Sequence, residues 1–139
     1  MRVMVLVKAS KDSEAGVLPS QQLLTDMGNF NQKLIDAGVM LAGEGLHASS
    51  KGARVRFQSA KQSVLDGPFA ETKELVAGYW VWKVKDVAEA VAWVKQAPFE
   101  SGAEIEIRPL FEAEDFGVEI TPEAKAQGVR QRAEIAQNK

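Results

Sequence analysis

Two segments of this chain are apolar on both faces of an extended pattern. In Met1–Lys8, Val3, Val5 and Val7 share one face, and Met4 and Leu6 occupy the middle of the other. In Leu75–Val84, Val76, Gly78, Trp80, Trp82 and Val84 alternate with Leu75, Ala77, Tyr79, Val81 and Lys83. A strand buried on both faces needs a layer on each side. The chain's own helices supply one layer, and a second subunit is the simplest source of the other.

The remaining patterns set the order of elements. Residues 10–18 are polar with Gly16 and read as a loop. Ser20 is the N-cap of a helix over 21–37, with Leu23, Leu24, Met27, Phe30, Leu34 and Ile35 at helical spacing as core and Gly38 closing it. Val39–Leu46 is a strand expected to return beside the first. Its Gly43 and Gly45 flank Glu44 and mark a bulge or a close backbone approach. Arg54–Gln58 and Gln62–Leu65 form a short hairpin before the Leu75–Val84 strand. Asp86 and Glu89 form a capping box for a second helix with Val87, Ala90, Val91 and Val94 inside and Pro98 as its stop. Ala103–Arg108 is the last strand of the core. The order is β-α-β-β-α-β, an α+β ferredoxin-like pattern with an inserted hairpin. Beyond it, Thr121-Pro122-Glu123 starts a polar helix reaching Gln137.

The sharpest local punctuation is Asp66-Gly67-Pro68-Phe69-Ala70-Glu71-Thr72-Lys73-Glu74. Pro68 suits the second position of a type I turn from Gly67 to Ala70. An aspartate at a turn bonds the N–H two residues on, but here that residue is Pro68, which has none. The Phe69 N–H is left as the local partner for Asp66. Otherwise the carboxylate is free for a partner outside the turn.

Composition narrows the function. The 139 residues suit one domain, and a net charge of −2 with scattered signs provides no basic stripe for nucleic acid. The absence of cysteine excludes disulfides, zinc-thiolate sites and cysteine nucleophiles, and with His47 the lone histidine no multi-imidazole metal site forms within one chain. No cofactor or metal is expected. No run approaches the ~20 apolar residues of a membrane span, and Val3–Val7 is too short for a signal core. The expectation is a cytoplasmic protein without membrane association.

The motif stretch, together with Met1–Lys8, Leu41-Ala42-Gly43-Glu44-Gly45-Leu46-His47, Gly52-Ala53-Arg54-Val55, Ile105–Pro109 and Phe111–Phe116, resembles the DGPF branch of the YCII-related proteins. The likeness covers roughly 1–117, leaving 118–139 as a helical extension. It implies a ferredoxin-like fold paired into a dimeric α/β barrel, with no settled activity. It also implies a histidine–aspartate pair in a pocket, matched here by His47 and Asp66.

His47 is the only side chain whose unperturbed pKa lies near neutrality, as general acid–base chemistry prefers. An ionised Asp66 beside it orients the imidazole. The substrate-contact candidates are Glu44, Pro68, Phe69, Lys73 and Tyr79. Whether Glu44 and His47 share a face is open from sequence. Two functions follow. One is a homodimer that binds a small organic molecule and performs cofactor-independent acid–base chemistry. The other is a non-catalytic ligand-binding or regulatory module, which the resemblance links to extracytoplasmic-function sigma factors.

Overall fold

In the computed structural model, residues 1–138 are described, with the side chains of Lys73, Val118 and Glu119 excepted. Met1–Pro109 forms one compact unit and Leu110–Lys139 another.

The first unit is built on a sheet of β1 (Arg2–Lys8), β2 (Met40–Gly45), β5 (Val76–Lys83) and β6 (Ile105–Pro109), ordered β2-β5-β1-β6 with all pairs antiparallel. Together with α2 (Gln21–Asp36) and α3 (Val87–Val94) this is the ferredoxin-like order. β2 does not return beside β1. β5 lies between them, and β2 takes the sheet edge. Val3 and Val5 lie opposite Trp82 and Trp80, so one face collects the bulkiest residues of both central strands. Phe30 and Leu34 of α2 and Ala90 of α3 pack on that face. Trp80 and Trp82 are 5% and 0% exposed, and their rings sit 5.4 Å apart, with Phe30 edge-on to both. Strand alternation turns Met4, Leu6, Tyr79 and Val81 to the other face.

Ser20 caps α2 by accepting from Leu23 N–H at 3.1 Å. The stripe expected to be core divides. Phe30 and Leu34 are buried, Leu23 and Met27 half-buried, and Leu24 and Ile35 exposed. In α3, Asp86 accepts from Glu89 N–H at 2.9 Å, but Glu89 reaches back to Lys85 N–H rather than to the cap residue. Val87 and Val91, expected inside, are 39% and 37% exposed, because α3 rests on Ala90 with Trp93 and Val94 beside it. The 10–18 segment is not all loop. Ser10 and Ser13 form a reciprocal capping box around α1 (Lys11–Glu14).

β3 (Ala53–Gln58) and β4 (Lys61–Asp66) form a separate two-stranded sheet. The expected Gly67–Ala70 turn is replaced by an irregular bend with a cis Gly67–Pro68 bond. Gly67 N–H donates to Gly52 O at 3.0 Å. A Cβ on Gly67 would lie 1.7 Å from Ser49 O, so only glycine fits this approach.

In the second unit, Phe111 and Phe116 stack 5.2 Å apart, Arg132 pairs with Glu112 at 3.7 Å, and α4 (Pro122–Gln137) starts at a Thr121 cap. Among the described residues, no helix is long and apolar enough to cross a membrane.

Candidate functional site

Of the residues singled out from sequence, Glu44 and Tyr79 border a cavity of the first unit that His47 and Asp66 do not line. His47 is exposed in the link after β2, and Asp66 is exposed at the end of β4. Among the described residues no hydrogen bond joins them, and neither lines the two principal cavities. Phe69 N–H, expected to be available to Asp66, donates to Ser49 Oγ at 3.0 Å instead. The Phe69 ring lies under the Arg54 guanidinium, 3.9 Å from its centroid, which ties the hairpin to the motif. Pro68 is exposed. The Lys73 side chain lies outside the described residues.

Ser49 is the residue around which the motif is held. Its N–H and hydroxyl donate to the two oxygens of Glu14 at 2.9 and 2.5 Å, while its hydroxyl accepts from Phe69 N–H. The Ser49 hydroxyl, and then its backbone N–H, hold the Glu14 carboxyl below the usual carboxylate range. Three segments distant in sequence thus meet at one side chain.

The candidate binding site lies elsewhere, between α2 and the glycine-bearing ends of β2 and β5. A cavity of about 330 Å³ is walled by Leu23, Met27 and Asn31 of α2 and by Trp80 and Phe99. Gly43, Gly45 and Gly78 form its floor. It exists because the strands carry no side chains where the first half of α2 passes over them. The glycines differ in what they accommodate. A Cβ on Gly43 would lie 2.7 Å from the Trp80 ring, and one on Gly78 would lie 3.0 Å from Glu44 O. A Cβ on Gly45 meets nothing within 4 Å. Glu44 and Tyr79 also border the cavity, and they lie opposite each other in the β2–β5 register. Alternation with Gly43, Gly45 and Trp80 sends their side chains to the other sheet face, so their backbone contributes here.

Trp80 Nε1–H donates to Asn31 Oδ1 at 2.9 Å. An indole N–H only donates, so the amide oxygen must face it, and Asn31 Nδ2 is left as a donor in the cavity wall. A larger cavity of about 840 Å³ adjoins the first, sharing Val7, Pro19, Leu23, Ala77 and Phe99 and extending below the 10–20 segment.

The YCII-related domain family matches residues 1–114. The chain belongs to the YCII-related family. A curated relative, the uncharacterized protein R00369 of Rhizobium meliloti (strain 1021), is 27% identical over 92 residues, 65% of this chain and 74% of the relative. A similar solved structure is 5-chloro-2-hydroxyhydroquinone dehydrochlorinase (TftG) from Burkholderia phenoliruptrix AC1100, in complex with 2,5-dihydroxybenzoquinone. It is 12% identical, covers 83% of this chain and 98% of that one, and has a TM-score of 0.45, too distant to inform this YCII-related site.

Sequence reading missed Asn31 and Ser49. Asn31 had a signal: it continues the Leu23–Met27 spacing of four, a polar residue on an apolar stripe. The Glu14–Ser49 contact spans 35 residues and has no local signature.

Proposed function

We propose that this YCII-related domain binds a small organic molecule in the cavity between α2 and the glycine ends of β2 and β5. The observation that carries the reading is an apolar cavity with one directed polar group, Asn31 Nδ2, in its wall. About 330 Å³ is at the small end of the range for ligand pockets. Fragment soaking followed by a ligand-bound structure tests it. Occupancy between Met27 and Gly45 supports the reading, and hits confined to other surfaces contradict it.

The domain acts as a homodimer in this proposal, joined through the sheet face that carries Met4, Leu6, Tyr79 and Val81. A stable interface of that kind buries at least ~1,200 Å² in total. Light scattering at micromolar concentration distinguishes a dimer from a 15.1 kDa monomer.

An acid–base step by His47 with Asp66 rests on the family resemblance and on His47 being the one side chain of near-neutral ordinary pKa. Turnover that survives His47→Ala removes it. The exposure of His47, outside the cavity, favours binding without chemistry as the primary role.

A further inference from the structure

We infer that the ligand of this cavity is a planar, uncharged, largely apolar molecule bearing a hydrogen-bond acceptor, and that Asn31 is the residue that selects it. The inference rests on the cavity being the binding site and adds what the cavity prefers.

Planarity follows from the floor. Gly43, Gly45 and Gly78 present bare backbone, and glycine allows a ligand to approach it closely. Opposite that floor stand Leu23 and Met27, with the aromatic rings of Trp80 and Phe99 at the sides. Such walls favour a flat apolar body. The absence of charge follows from Asn31 being the one polar side chain among the groups shown to reach the cavity. Among the described residues no cationic side chain borders it, and the Glu44 carboxylate belongs to the opposite sheet face.

The acceptor follows from the Trp80–Asn31 bond. That bond fixes the amide so that Oδ1 is engaged and Nδ2 is the group left to offer. A ligand that supplies an acceptor satisfies Nδ2. A ligand that supplies only a donor leaves Nδ2 buried without a partner, which is penalised.

Substituting Asn31 by aspartate reverses the polarity while keeping the bond. A carboxylate oxygen still accepts from Trp80 Nε1–H, but the other oxygen now accepts as well. Two bicyclic probes of similar size separate the cases: 1-indanone, which only accepts, and indole, which donates and lacks a carbonyl. Both are titrated into ¹⁵N-labelled full-length protein at pH 8, where an aspartate is ionised. The Trp80 indole N–H resonance reports on fold and site together.

The wild type should bind 1-indanone about tenfold or more tightly than indole, the scale of one unsatisfied hydrogen-bonding group. Asn31→Asp should reverse that order, and Asn31→Ala should bring the ratio near one. An unchanged ratio in both variants, in protein whose Trp80 resonance shows an intact fold, overturns the selectivity. So does failure of wild type to bind either probe. Gly45→Leu should weaken both probes alike by filling the cavity. If it leaves both unchanged while Asn31→Asp alters neither, the cavity is not the site. If it weakens both while the Asn31 variants keep the wild-type ratio, the cavity stands and the role of Asn31 falls.

Discussion

The Ser49 hydroxyl donates to Glu14 at 2.5 Å, and the Ser49 N–H donates to the other oxygen of the same carboxylate at 2.9 Å. One residue therefore closes both sides of Glu14 and, through Phe69 N–H, anchors the glycine–proline motif. Ser49→Ala removes the hydroxyl from both contacts. The Phe69 bond alone should be worth about 1 kcal/mol. A lower urea midpoint with an unchanged m-value is expected, and an unchanged midpoint contradicts the anchoring role.

The same contact makes a pH dependence. The Glu14 carboxyl is held below its ordinary value, first by the Ser49 hydroxyl and then by the Ser49 N–H. A group with a depressed folded pKa adds stability that is present above its unfolded value, about 4.3, and lost as pH falls through the lower folded value. Glu106 contributes with the same sign, through its bond to the half-buried Lys8 first and to the exposed Arg108 second, and the Arg108 contact is the one that salt weakens more. Glu14→Gln should be less stable than wild type at pH 7, and the two should converge below about pH 4. Parallel stability curves from pH 3 to 7 contradict this.

Two glycine substitutions should move stability in opposite directions. Gly67→Ala drives a Cβ into the Ser49 carbonyl, and the forced shift of the 48–50 segment should cost roughly 1–3 kcal/mol. Gly28 lies inside α2 with open space around an added Cβ, so Gly28→Ala should stabilise by up to about 1 kcal/mol. Denaturation midpoints that move together contradict the packing assigned to Gly67.

Trp82 and Trp80 should differ on conservative replacement. Both are core residues, and Trp82→Ala should cost roughly 3–5 kcal/mol. The buried Trp82 Nε1 has no hydrogen-bond partner among the described residues, whereas that of Trp80 bonds Asn31. Trp82→Phe discards an unsatisfied donor and Trp80→Phe discards a made bond. Trp82→Phe should be the milder change, and the reverse order by chemical denaturation contradicts the pairing.

Strand and helix order were legible because period-two and period-3.6 patterns report burial locally. The place of β2 was not, since adjacency in sequence says nothing about β5 slipping between β2 and β1. Gly43 and Gly45 were read as marking a bulge or a close backbone approach; the register shift lies earlier, between Met40 and Ala42, and the close approach is that of Trp80 to Gly43. Val87 and Val91 were misassigned because α3 buries Ala90 with Trp93 and Val94 beside it, a choice set by tertiary packing. Asp66 was read as bonding Phe69 N–H or as left free by the turn, and the first alternative fails for a related reason. Local turn chemistry left Phe69 N–H available, but Ser49, twenty residues away, takes it.

The measurement that bears most directly on the cavity is the affinity of 1-indanone for wild type and for Gly45→Leu. Gly45 borders the cavity, and an added Cβ there meets no neighbour within 4 Å, so the larger side chain should fill space without unfolding the protein. A saturable shift of the Trp80 indole N–H in wild type, weakened at least about tenfold in Gly45→Leu at an unchanged thermal midpoint, is the predicted result. Equal affinity in the two proteins would place the ligand elsewhere and contradict the account.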